Sequence, residues 1–453
     1  MGRRRFRTML VPKAMRLIVI GASGLAVGLA ITVARSWQAE DLEGPAARQA
    51  KVAQQQEAEI AARAKRAEGP EAKKGSKLLA ASIPTLSGRA GNSAQGLDDM
   101  RTPLPLSCYD AQLARKTDIC SDSELRTQTT IDWDFQEKVA SFVRRRPVVA
   151  AAYVAVDVET GALRAMVSHE PAREAASREA LSARAPAASI FKIVSAAALG
   201  REGIHGQTRV CTHGGIRKIG KEHIVDNPKK DKTCESLMVA FAKSRNSAFA
   251  KLANKNLNSA KLGTALTTFG FNGKIPFEFK LDPSTGEVPK SRLGRAKMAA
   301  GFSAVSLNPV HAALMGATIA RNGTFPLPVL SSKKDETASG TRIISKSISR
   351  SLRGMMKATV EKGTGRRTLG RASIGNAAKS GTLSAHRDGK LRHYTWMVGY
   401  FPEDEPKIAY AAMVANADIW HYRAGELARS GIDSYASVQA KRKRKAKAQV
   451  KKR

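Results

Sequence analysis

The stretch Pro186-Ala187-Ala188-Ser189-Ile190-Phe191-Lys192 decides how the chain is read. It opens an apolar run, Ile193-Val194 and then Ala196-Ala197-Ala198-Leu199, which predicts a buried helix from 189 to about 202. Positions i and i+3 share a helix face, so the Lys192 amine can lie beside the Ser189 hydroxyl. A serine hydroxyl is a weak nucleophile and needs an adjacent base. A lysine serves as that base when burial or a second cation lowers its pKa. Taken alone, the pair reads more simply as a capping serine and a surface lysine, so its meaning depends on the rest of the chain.

Upstream, a helix is predicted over 133–146, with Phe135, Val139 and Phe142 at helical spacing and Pro147 as its stop. Two apolar runs, 151–158 and 162–167, flank Glu159-Thr160-Gly161 and predict a hairpin. Downstream, residues 205–235 form a basic, glycine-bearing loop between Cys211 and Cys234. A helix from 237 then breaks at Lys243-Ser244-Arg245-Asn246 and resumes over 248–257. That polar turn either joins two helices or projects Ser244 and Asn246 into a cleft.

Alanine-rich helix follows over 295–322, broken at Ser306-Leu307-Asn308-Pro309, and another helix covers 349–361 up to Gly363-Thr364-Gly365. Three strands are predicted over 375–385, 391–401 and 408–415; the first carries Lys379-Ser380-Gly381-Thr382, and Asp388-Gly389 turns it into the second. A helix over 424–438 closes the domain. Helix, two strands, a helical block, three strands and a helix predict an α+β fold: an antiparallel sheet flanked by helices.

Three motifs now stand in order: Ser189-x-x-Lys192, Ser244-x-Asn246 and Lys379-Ser380-Gly381-Thr382. With this set the chain resembles the penicillin-binding protein transpeptidase domain, of the superfamily that also holds the β-lactamases. The resemblance covers roughly 125–438. It extends to Thr130-Ile131-Asp132 with Gln136, to Val156-Asp157-Val158-Glu159-Thr160-Gly161-Ala162 and to Ala165-Met166-Val167. It also takes in Asn308-Pro309-Val310-His311-Ala312, Ile319-Ala320-Arg321-Asn322-Gly323, and Trp396-Met397-Val398-Gly399-Tyr400 with Pro402. Members often carry Pro-Gly-Ser before the nucleophile helix, where this chain has Pro186-Ala187-Ala188-Ser189. Neither a glycosyltransferase domain nor a large pedestal domain is expected ahead of the transpeptidase, which argues against a standard divisome or elongation role.

The resemblance implies that Ser189 attacks the penultimate D-Ala carbonyl of a peptidoglycan stem peptide and forms an acyl-enzyme. Lys192, neutral, would take the serine proton, helped by the field of Lys379. Ser244 would relay that proton to the leaving amine, and Asn246 would hold the substrate amide. The N–H groups of Ser189 and Thr382 would form the oxyanion hole, and Ser380, Gly381 and Thr382 would bind the terminal carboxylate end. β-Lactams would acylate the same serine, and no cofactor or metal is called for. The alternatives are a D,D-carboxypeptidase or β-lactamase of the same fold, or a scaffold or sensor without turnover. No clear Glu-x-x-Leu-Asn motif supplies the water-activating glutamate of a class A β-lactamase.

The net charge of +37 invites a polyanion, yet no zinc-finger spacing, phosphate loop or aromatic RNA-binding signature accompanies it, and nucleic acid is set aside. Arg3, Arg4, Arg5, Arg7, Lys13 and Arg16 precede an uncharged run over 17–34, followed by Arg35 and Trp37. That run is just long enough to cross a lipid bilayer, with the basic flank in the cytoplasm and the rest outside; cleavage as a signal peptide is the rival reading.

Expected segments are an anchor (1–37), a low-complexity spacer (38–105), a short cysteine-bearing segment (106–127), the transpeptidase domain (128–438) and a basic tail (439–453). The tail is either solvated chain or a contact for anionic envelope polymers. The four cysteines suit an oxidising compartment. Their spacing makes local bridges, Cys108 with Cys120 and Cys211 with Cys234, the simplest pairing without excluding the others, and it does not suit a metal.

Overall fold

The computed structural model describes residues 128–172, 178–216, 218–302, 305–332 and 340–451. The anchor and spacer segments and the pair Cys108 and Cys120 lie outside them. Among the described residues no helix is long and apolar enough to cross a membrane.

The elements run in order: α1 (Trp133–Arg144), β1 (Ala150–Asp157), β2 (Leu163–His169), α2 (Lys192–Arg201), α3 (Leu237–Ala242), α4 (Asn246–Asn256), α5 (Ser259–Thr268), α6 (Arg292–Ala299) and α7 (Pro309–Ala320). Then come α8 (Lys346–Lys362), α9 (Arg366–Leu369), β3 (Ala377–Arg387), β4 (Lys390–Phe401), β5 (Ile408–Asn416) and α10 (Ala424–Val450). The five strands form one antiparallel sheet in the order β2-β1-β5-β4-β3. This is the expected α+β architecture, with the first hairpin and the three closing strands where the sequence puts them.

The inner strands β1 and β5 are buried along almost their whole length and nearly all apolar, because both faces of the sheet are covered there, whereas the far end of β3 and the start of β4 are polar and partly exposed. Ala152, Val154 and Val156 of β1 face one core with Tyr394, Trp396 and Val398 of β4. Ala151, Tyr153 and Ala155 face the other, with Phe135 and Val139 of α1 and Leu427 and Ile432 of α10. Helix α7 lies against the first face and is buried at every position. A helix apolar all round belongs inside a protein, and Gly316 lets it approach the sheet: a Cβ there would stand 3.0 Å from the Gly399 carbonyl oxygen. The turn Asp388-Gly389 has φ of 50° and 70°, the left-handed pair that a two-residue hairpin with the right twist requires.

Two elements differ from expectation. The turn Ala188–Phe191 is a 3₁₀ turn, and regular α-helix starts only at Lys192. Ala188 is left-handed at φ 48°, against Gly301, where a Cβ would meet the Ala188 carbonyl oxygen at 2.4 Å. The segment before the serine is therefore set by a tertiary contact rather than by helix propensity. The closing helix runs on to Val450, through most of the stretch read as a tail. Ala, Lys and Arg are strong helix formers and no Gly or Pro intervenes. Arg442 in that stretch holds Asp132, the N-cap of α1, at 2.7 and 2.8 Å.

Candidate active site

The three motifs meet at the edge of the sheet. Strand β3 is the terminal strand, paired with β4 alone (Val398↔Lys379, Trp396↔Gly381), so its other edge faces the nucleophile turn. The Trp396 indole N–H donates to the Pro186 carbonyl at 2.8 Å and ties β4 to the segment before Ser189. Gly381 is a close-approach position: a Cβ there would press on Ile190, Trp396 and Ala188 at 3.2–3.4 Å.

Lys192 is wholly buried, and its Nζ lies 2.7 Å from Ser189 Oγ, 2.8 Å from Asn246 Oδ1 and 2.6 Å from the Ala300 carbonyl oxygen. The last two can only accept. A neutral amine has two N–H bonds and one lone pair. With both N–H bonds spent on Asn246 and Ala300, the lone pair is left for the Ser189 O–H. Burial pushes the Lys192 pKa well below the ordinary lysine value, and the charge of Lys379 lowers it further.

Ser244 follows the last turn of α3 in the left-handed region, at φ 55°. A glycine usually takes this helix-ending position. The backbone is held there by Ser244 N–H to Phe241 O at 3.0 Å and Arg245 N–H to Ala240 O at 2.8 Å. Such strain in a non-glycine residue persists where the surroundings enforce it. Its consequence is that Lys379 Nζ donates to Ser244 Oγ at 3.0 Å. Lys379 also donates to the Ser380 carbonyl at 2.7 Å, and burial lowers its pKa to about 7. Ser380 is half-buried and Thr382 exposed, so both hydroxyls are open to a ligand.

Two participants escaped the sequence reading. Thr364, seen there only as part of a helix stop, has its Oγ1 2.6 Å from Ser380 Oγ. It is held by its N–H to the Ala242 carbonyl at 3.0 Å, and Gly363 permits that approach, since a Cβ there would stand 2.2 Å from the same oxygen. The other is the loop around Cys211 and Cys234, which are joined as a disulfide. Asn246 Nδ2 donates to the Ile216 carbonyl of this loop at 2.6 Å. The loop is anchored by the buried Lys251 of α4, which donates to the Cys211 carbonyl at 2.9 Å and pairs with Asp231. Burial disfavours the Asp231 carboxylate. Hydrogen bonds with His213, Lys251 and the Asn227 N–H outweigh it and hold its pKa well below the usual carboxylate range.

The motifs line one cleft of about 1270 Å³ that takes in Ser189, Ser244, Asn246, Ser380, Gly381 and Thr382. A buried amine of lowered pKa beside a serine hydroxyl, with a second lysine and a group of hydroxyls next to it, has the parts for acyl transfer from an anionic substrate to the serine.

A family model for the penicillin binding protein transpeptidase domain matches residues 151–432. The chain belongs to the penicillin-binding protein transpeptidase family. It is 26% identical over 253 residues to the peptidoglycan D,D-transpeptidase PbpA of Mycolicibacterium smegmatis, covering 52% of this chain and 50% of that protein. It is 27% identical over 188 residues to stage V sporulation protein D of Bacillus subtilis, covering 38% of this chain and 29% of that protein. The match thus spans half or less of these relatives' length. Among solved structures, the penicillin G acyl-enzyme complex of penicillin-binding protein A from Mycobacterium tuberculosis is similar with a TM-score of 0.55. The identity there is 23%, over 68% of this chain and 80% of the other. This last likeness concerns the fold.

Proposed function

We propose that the protein is a peptidoglycan D,D-transpeptidase that works through an acyl-enzyme on Ser189 and is acylated at the same atom by β-lactams. One observation carries the reading: the buried Lys192 amine has acceptors on both N–H bonds and the Ser189 hydroxyl on its remaining side.

The stem peptide lies along the free edge of β3, its terminal carboxylate at Ser380, Thr382 and Lys379. Ser189 Oγ attacks the penultimate D-Ala carbonyl as its proton passes to Lys192. The oxyanion is met by the N–H groups of Ser189 and Thr382. As the C–N bond breaks, Ser244, hydrogen-bonded to Lys379, delivers a proton to the leaving D-Ala amine. The acyl group then passes from Ser189 to the amine of a second stem peptide. The uncharged run 17–34 after a basic flank supports a single-pass anchor with the catalytic domain outside the cytoplasmic membrane. The exposed basic end of α10 supports a contact with anionic envelope polymers.

The test is release of D-Ala from a stem pentapeptide together with formation of the cross-linked product. Lys192→Ala is expected to slow release by about 10²–10⁴-fold, the usual contribution of a positioned base. Release without cross-linked product would make water the acceptor and turn the reading to a carboxypeptidase.

A further inference from the structure

The cleft does not end at the three motifs. From Ser380 it continues past Thr364 along Arg366–Leu369 and Ile374-Gly375-Asn376 to Arg423. This extension is cationic: Lys362, Arg366, Arg367, Arg371 and Arg423 all line it, and all five are exposed. Two carboxylates line it as well, Glu361 and Glu403, but Lys357 already stands 3.9 Å from the first and 2.7 Å from the second. Among the described residues none of the five lining cations forms an ion pair. A cleft with unopposed charge of one sign concentrates ligands of the other. Arginines add a planar fork that matches carboxylates two bonds at a time.

The trough has a fixed relation to the reacting atoms. On the proposed function, the leaving D-Ala carboxylate sits at Ser380 and Thr382, and Thr364, 2.6 Å from Ser380 Oγ, begins the wall of the trough. The trough therefore opens from the leaving-group side of Ser189. Transfer is the reverse of departure: the incoming amine attacks the acyl carbon from the side that the departing amine left. Its peptide must then lie where the five cations are.

We infer that this trough is the acyl-acceptor subsite, and that it selects an acceptor peptide bearing free carboxylates over the same peptide amidated. In the step it serves, the acceptor's neutral amine forms a C–N bond to the acyl carbon while the C–O bond to Ser189 breaks. One amine proton returns to Ser189 Oγ, so peptide bond and free serine are the products. The inference rests on the transpeptidase reading.

The test uses the full chain, a D-Ala-D-Ala donor peptide, and two amine-bearing tripeptides: one with two free carboxylates, the other with both amidated. Acyl-enzyme is first followed by mass spectrometry without acceptor, and transfer product is then measured with each tripeptide. The ratio of acid to amide product is expected to be about tenfold in the unmodified protein, to approach one in the double variant Arg366→Glu, Arg367→Glu, and to fall at high salt. A second double variant, Arg366→Gln and Arg367→Gln, is expected to lie between, since these exposed side chains carry no part of the core. A ratio near one in the unmodified protein, or one unmoved by either variant, would overturn the inference and leave the transpeptidase reading standing. Absence of any acyl-enzyme in the first step would overturn that reading and the inference with it.

Discussion

The chemistry of the site turns on two lysines that burial holds below their ordinary pKa. On the proposed function Lys192 is the base and works only once deprotonated, so acylation is expected to rise with pH through its lowered pKa. On the same reading Lys379 is needed charged, opposite the substrate carboxylate, and burial lowers its pKa to about 7 in the free protein. Because kcat/KM reports the free enzyme, acylation by a carboxylate-bearing substrate is expected to fall above about 7. Lys379→Arg, whose guanidinium stays protonated, should move that limb upward, measured as kcat/KM against pH. A limb unmoved by the substitution would assign it to another group. At this scale the sequence was informative where spacing was short. Ser189 and Lys192 are three apart, and a helical turn suffices to pair them. The Ala300 carbonyl lies 108 residues from Lys192, and Thr364 meets Ser380 only because α8 ends beside β3. No local pattern encodes either contact.

Among the elements, the loop tied by Cys211 and Cys234 has the most direct hold on the site. Its anchor is the Asp231–Lys251 pair, with side chains 6% and 5% exposed, and its reach into the site is the Ile216 carbonyl on Asn246. Asp231→Asn removes one partner of a buried pair, which costs about 3–5 kcal/mol. Faster hydrogen exchange over 213–231 is expected, with a change in acylation rate as Asn246 loses its loop partner. Exchange no faster than in the unmodified protein would place the anchor elsewhere. The sign with pH follows from the lowered pKa: the stability Asp231 adds is present above the usual carboxylate range and is lost as pH falls through its folded value. The sequence marked this segment as basic and cysteine-bounded. The buried Lys251 could not be foreseen, since it stands at a helical position where a lysine is ordinarily solvated.

For the whole molecule, the sheet and its two covered faces were legible because the inner strands are almost continuously apolar and the hairpin turns carry Gly161 and Asp388-Gly389. Less legible were the long-range ion pairs that lock the layers. Arg387 at the end of β3 meets Glu179 and Glu170, each at 2.7 Å, with all three side chains 4% exposed or less. Arg442 makes an equally close pair with Asp132 at 2.7 Å, but its side chain is 48% exposed. Burial separates them energetically. Arg387→Ala leaves Glu170 and Glu179, both buried, with only the partly exposed Arg184 at 3.6 and 3.3 Å and is expected to cost toward the lower end of about 3–5 kcal/mol, whereas Arg442→Ala is expected to cost less than about 1 kcal/mol. Thermal unfolding of the two variants checks this order, and the reverse order would contradict it. At the basic end of α10 the run of like charge masks a stretch whose Ala, Lys and Arg are strong helix formers.

The proposed chemistry requires Ser189 Oγ as the acyl-accepting atom, and covalent labelling with a fluorescent penicillin tests that most directly. The protein should carry a stable adduct that peptide mapping places on Ser189, and Ser189→Ala, equally folded by circular dichroism, should carry none. An adduct that survives the substitution, or none on the folded unmodified protein, would contradict the account.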